Sequence, residues 1–242
     1  MPAPRRVGLA GSLQRPVLEM FEDRTDAGRR LATHLEAYRA ERPVVLGLPR
    51  GGVVVAYEIA RALGAPLDVL VVRKVGAPGR PEFGIGAVVD GEHPQAIVDD
   101  RAVRTIGVSA AYLEAEIARQ LAEVTQRNAR LRAGRHGVDL HDRTVIVVDD
   151  GIATGGTVRA ALRGVRRAQP RRVVLAVPVA PPGAISALRT EADAVVCLET
   201  PRHFHAVGQF YRDFRQTTDD EVIDLLARAA DDPPWRRAAN DG

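Results

Sequence analysis

Short apolar runs alternate with helical periodicity along most of this chain. Residues 44–48, 67–72, 145–148, 172–177 and 194–198 are dominated by Val, Leu, Ile and Ala, with almost no polar alternation. Runs of this length, rich in β-branched residues, predict strands buried on both faces, as in a parallel sheet. Between them the spacing turns helical. Ala27, Leu31, Leu35 and Tyr38 make one stripe over 25–41, which Pro43 stops. Residues 53–63 form a second helix closed by Gly64, and a third starts at Val158. Ser109 caps a long polar helix over 109–132, 184–190 is a short helix, and Thr218 caps a last helix through Ala227. Residues 75–83 hold Gly76, Pro78, Gly79 and Pro81 and predict a mobile loop. Segments 84–89 and 95–98 predict a hairpin around Asp90 and Gly91. The expected class is α/β: a mostly parallel twisted sheet flanked by helices. Residues 1–20 lack periodicity and read as a loose tail, leaving 21–242 as a single domain.

The chemistry concentrates where one run ends. Val145 to Val148 is followed by Asp149 and Asp150, then by Gly151-Ile152-Ala153-Thr154-Gly155-Gly156-Thr157, and then by a helix. In an open α/β sheet, ligands bind beyond the carboxyl ends of the strands. Backbone N–H groups, two hydroxyls and a helix N-terminus around one point suit a phosphate monoester. The two carboxylates would repel phosphate and instead match vicinal sugar hydroxyls, which donate hydrogen bonds. The stretch therefore asks for a sugar phosphate.

No Lys follows Gly155-Gly156, which excludes a Walker A loop, and no G-x-G-x-x-G turn is spelled there. The thirteen residues 145–157 instead resemble the signature of the type I phosphoribosyltransferases: four apolar residues, two acids, and a loop ending T-G-x-T. That resemblance implies an α/β fold with a small hood over the sheet. It also implies transfer of ribose 5-phosphate from phosphoribosyl pyrophosphate to a nitrogen nucleophile, with release of pyrophosphate, by a magnesium-dependent pentosyltransferase. Ala153, Thr154, Gly155, Gly156 and Thr157 would then hold the 5-phosphate, and Asp149 and Asp150 the ribose hydroxyls. Arg50, Gly51 and Gly52, also between a strand and a helix, resemble the family's pyrophosphate loop. Arg73 and Lys74 resemble the basic pair before its flexible loop. Mg2+ would be held mainly by the ligand's own oxygens and water, with no metal site built from the protein alone.

Composition narrows the picture further. The chain has 242 residues, a net charge of +3, and Arg for all but one of its 34 basic residues, the exception being Lys74. A chain that uses Arg almost everywhere has reason to keep a compact ammonium where it does so. The Arg residues are scattered among acids rather than clustered, which disfavours nucleic acid as the partner. No apolar stretch suits a membrane span or a signal peptide, so a cytoplasmic protein is expected, and a homo-oligomer is compatible with the class. Cys197 lies alone in an apolar run and reads as an inert core thiol.

Six aromatic or His residues fall between 203 and 214 in a chain that is only 4% aromatic. Residues 199–228 are therefore the candidate part of the hood, where a ring would stack on a base. The family's hypoxanthine and guanine enzymes resemble this motif but carry an Asp where this chain has Ala153, so the expected acceptor is a nucleobase other than a 6-oxopurine. Glu82, on the 75–83 segment, is the candidate substitute for that carboxylate. Two other classes stay open at this level. One is a regulator that senses phosphoribosyl pyrophosphate without turnover; the other is a hydrolase or phosphorylase using the same sugar-phosphate site.

Overall fold

In a computed structural model, describing residues 20–91 and 94–231, strands β1 (Val44–Gly47), β2 (Leu67–Val69), β6 (Thr144–Val148), β7 (Arg172–Val179) and β8 (Ala194–Glu199) form one parallel sheet. Its order is β2-β1-β6-β7-β8. The continuous apolar character of these strands follows from helices covering both faces. On one face Val45, Ile146, Val148, Val174 and Ala176 pack against α1 (Arg24–Thr33) and α2 (Gly51–Leu63). On the other, Val44, Leu46, Val145, Val147, Val173 and Leu175 pack against α5 (Gly156–Arg167) and α6 (Pro182–Leu188).

The chain leaves β1 toward β2 on one side and β6 toward β7 and β8 on the other. The order thus reverses between β1 and β6, which is the switch point where an open α/β sheet leaves a crevice for ligand. The expected fold class is the observed one, and the loops after β1 and β6 flank that crevice.

A second, antiparallel sheet of β3 (Val72–Ala77), β4 (Arg80–Val89) and β5 (Gln95–Val98) stands beside the first. This corrects two expectations. The 67–72 strand ends its parallel pairing at Val69, and the chain changes sheets through the buried Leu70 and Val71. The 75–83 segment is a β-hairpin rather than a loop. Pro78 and Gly79, with Gly79 at φ +66°, form its turn, and Ala77 pairs with Arg80 across it. The Pro-Gly pair that suggests irregular chain supplies the backbone angles of a tight reversal. Gly76 makes the close approach, since a Cβ there would lie 2.7 Å from the carbonyl oxygen of Pro81.

Other differences are local. The 25–41 helix breaks after Thr33 and resumes as a 3-10 turn over Glu36–Glu41. A helix unforeseen from the pattern, α3 (Asp100–Ile106), is capped by Asp99. The long helix α4 (Ala110–Arg132) is capped by Ser109 as expected, and α7 (Asp219–Asp231) starts in a reciprocal Thr218–Glu221 box. Helix α4 packs on one face of the small sheet and α5 on the other. Most of the expected tail, residues 1–19, lies outside the described residues. Among the described residues no helix is long and apolar enough to cross a membrane.

Candidate active site

Two helices start at the crevice without a side-chain cap. α2 begins after Arg50 and α5 after Gly155, and neither has an acidic residue in its first turn. By contrast α1, α3 and α4 are capped by Asp23, Asp99 and Ser109. Uncapped first-turn N–H groups leave a partial positive charge facing the crevice, which an anion can satisfy. Gly155 adopts φ +79°, which lets the chain turn sharply into α5. Ala153, Thr154 and Gly156 are exposed and Thr157 half-buried, so the expected phosphate loop is open to a ligand.

Asp149 and Asp150 stand at the end of β6. An oxygen of Asp149 accepts the backbone N–H of Asp150 at 2.9 Å. Burial, and then the neighbouring charge of Asp150, push the Asp149 carboxyl well above the usual carboxylate range, with Arg24 opposing that shift. The α2 loop packs directly on this pair. A Cβ at Gly51 would lie 1.9 Å from Oδ2 of Asp150, and one at Gly52 would lie 2.9 Å from the Cα of Asp149. Only glycines permit that approach. The stretches that sequence reasoning singled out at 50–52 and 149–157 are therefore brought together.

The basic pair is split. Lys74 pairs in register with Ala87, whose face packs with α5; Arg73 pairs with Val88, whose face packs with α4 and α7. Arg73 is bonded to Gln120 at 3.4 Å and also to Glu123, both on α4. Arg50 approaches Asp219 at the start of α7, at 3.9 Å. Glu82 is exposed on the hairpin arm near its turn.

Two residues that the sequence reading did not assign reach the acid pair. Arg24 donates from Nε to Oδ2 of Asp150 at 2.7 Å, and the hydroxyl of Tyr211 donates to the carbonyl oxygen of Asp150 at 2.5 Å. Tyr211 belongs to a strap over 200–218 that is laced to residues 21 and 22 by Phe21 N–H to Phe210 O, Arg212 N–H to Phe21 O and Asp213 N–H to Glu22 O. Its rings commit mainly to one another and to Phe21, with centroids 5.0–5.3 Å apart. Arg24 had one legible signal: a cation at the first position of a helix opposes the helix dipole, so something else must hold it.

Among the described residues no group of three or more His, Cys, Asp or Glu side chains converges. The crevice thus offers a cation one or two carboxylate oxygens rather than a cage. That donor set fits magnesium carried on phosphate oxygens.

A model of the phosphoribosyl transferase domain matches residues 19–215. Two Mycobacterium tuberculosis proteins, from two strains, are each 48% identical over 90% of this chain. Their names assign them provisionally to the phosphoribosyl transferases, and the match covers 52% of each, so the chain spans about half their length. The crystal structure of TT1426 from Thermus thermophilus is similar over 86% of this chain and 98% of that one, with a TM-score of 0.78 and 48% identity.

Proposed function

The chain belongs to the phosphoribosyl transferase family, and on that premise we propose that it moves ribose 5-phosphate from phosphoribosyl pyrophosphate to a nitrogen nucleophile, releasing pyrophosphate. The observation that carries the reading is the meeting of Asp149 and Asp150 with two uncapped helix N-termini at the switch point of the sheet. A donor with phosphate at both ends and a diol between them matches that order of groups.

In this reading residues 153–157 anchor the 5-phosphate through backbone N–H groups and the hydroxyls of Thr154 and Thr157. Asp149 and Asp150 accept from the ribose hydroxyls. As the anomeric bond breaks, positive charge grows on the ribose, and a nearby carboxylate stabilises it. Gly51 and Gly52 present the N-terminus of α2 to the pyrophosphate, with Arg50 beside them. Of the basic pair, Lys74 is the one we assign to the departing charge, since Arg73 is held by α4. Magnesium, carried by the donor, would neutralise phosphate charge, and the carboxylates at the end of β6 are the residues placed to share it.

The acceptor in this proposal is a nucleobase other than a 6-oxopurine. The methyl group of Ala153 cannot exchange a proton with a purine ring, and Glu82, the candidate substitute, is out on the arm. Incubating the protein with phosphoribosyl pyrophosphate, magnesium and a panel of bases and amines tests both parts by mass spectrometry. Base-dependent pyrophosphate release is expected, with inosinate and guanylate absent or slow. Pyrophosphate release without any acceptor would favour a hydrolase, and inosinate formed at the best rate would reject the acceptor class.

A further inference from the structure

Arg24 opens α1, yet its side chain turns away from solvent and into the crevice, where it is 11% exposed. Three residues from two segments hold its guanidinium. Nε donates to Oδ2 of Asp150 at 2.7 Å, Nη1 donates to the carbonyl oxygen of Arg215 at 2.8 Å, and the Phe214 ring centroid lies 3.9 Å from its central carbon. A guanidinium taken out of water needs partners for both its charge and its N–H groups, and a carboxylate, a carbonyl and a π face supply them. The acids of its own helix are engaged elsewhere: Asp23 caps the N–H of Asp26, and Asp26 pairs with Arg30. Arg24 is thus committed to the site, not to its helix.

The consequence falls on Asp150. A carboxylate is planar, so fixing one oxygen fixes where the other points. Oδ2 is held by Arg24, so the plane of the carboxylate, and with it the direction of Oδ1, is set from α1. We propose that Arg24 is a positioning residue that orients Asp150 toward the donor's ribose hydroxyls and balances the charge of the acid pair. This rests on the reading that the pair binds the ribose. Arg24 also ties that pair to the strap through Phe214 and Arg215, so the donor side and the 200–218 segment share one guanidinium.

Arg24 is the cation that opposes the upward shift of Asp149, so the ion pair that orients Asp150 also offsets the repulsion between the two acids.

Calorimetric titration with phosphoribosyl pyrophosphate and magnesium reads this without an acceptor. Arg24→Gln should weaken binding about ten-fold. Arg24→Lys should recover part of that loss but stay several-fold weaker than wild type, since an ammonium cannot serve Asp150 and the Arg215 carbonyl together. A role confined to docking the strap would lower the binding-competent fraction and leave the affinity of the remainder unchanged, which rejects the assignment. Wild-type affinity in Arg24→Gln rejects it too. Should Arg24→Gln fail to fold, Arg24→Lys decides, and wild-type affinity in that variant rejects it equally. The Asp149→Asn/Asp150→Asn double variant separates the two layers. If it binds like wild type, the donor-site reading fails; if it loses binding while Arg24→Gln does not, only the role of Arg24 fails.

Discussion

The Tyr211 hydroxyl donates a 2.5 Å hydrogen bond to the backbone carbonyl of Asp150, across 61 residues of sequence. Burial, and then the charge of Asp150, push the phenol far above its usual range, so it remains a donor throughout the working pH range. The bond pins the strap to the end of β6.

Tyr211→Phe removes that donor and leaves a partly buried carbonyl unpaired. A loss of about 1–2 kcal/mol in unfolding free energy is expected. Donor affinity should fall as well, because the strap then holds Arg24 less firmly. Denaturant unfolding together with calorimetry measures both, and unchanged values in the two assays would mean the strap docks through its rings alone.

Gly51→Ala should damage the site more than the fold. The new methyl would overlap Oδ2 of Asp150 at 1.9 Å and the Nε of Arg24 at 2.5 Å, so those side chains must shift. Alanine otherwise suits the first turn of a helix, which limits the cost to stability to about 1 kcal/mol. Donor binding should drop at least ten-fold, or about 1.4 kcal/mol. Wild-type binding in Gly51→Ala would show that the acid pair need not stay where it is.

Lys74 and Arg73 should behave differently although they are neighbours. Lys74→Ala is expected to reduce turnover more than donor affinity, if its charge counts chiefly as pyrophosphate leaves. Lys74→Arg should restore only part of the activity, since a planar fork does not replace a point charge. Arg73→Ala should leave donor affinity within about three-fold and act mainly on the docking of α4, where its exposed ion pair contributes little. Steady-state kinetics of the three variants with the best acceptor checks the contrast. Equal loss in Lys74→Ala and Arg73→Ala would contradict it.

Asp90 gives a pH signature unrelated to activity. Its side chain is fully buried between Arg132, at 3.0 Å, and Asn128, at 2.5 Å. Burial pushes its pKa up to about 6, against the pull of Arg132. The folded chain therefore binds more protons at this group than the unfolded chain does between about pH 4 and 6. Its contribution to stability falls as pH rises through that window and is flat above it. Asp90→Asn removes the dependence. The stability of the variant relative to wild type should thus rise by up to about 3 kcal/mol across the window. A difference independent of pH, measured by urea unfolding, would mean that Asp90 titrates normally.

The stretch from Val145 to Thr157 was legible because everything that shapes it is local. A β-branched run makes a strand, two acids end it, and a glycine with positive φ turns the chain into an uncapped helix. The same holds for the loop at Arg50, Gly51 and Gly52 and for the caps at Ser109 and Thr218. The Pro78-Gly79 turn was visible but misread, because a turn's residues do not reveal whether the flanking chain pairs across it.

What the sequence could not give is which groups from distant segments share one space. Arg24 and Asp150 are 126 residues apart, and they meet only because α1 and α2 cover one face of the sheet while the strap closes over its end. The separation of Lys74 from Arg73 follows from the pairing of β3 with β4 and from α4 and α5 taking opposite faces of that sheet. Local propensity and periodicity fix what an element is; the partner of a charged side chain is set by packing, which no stretch of sequence contains by itself.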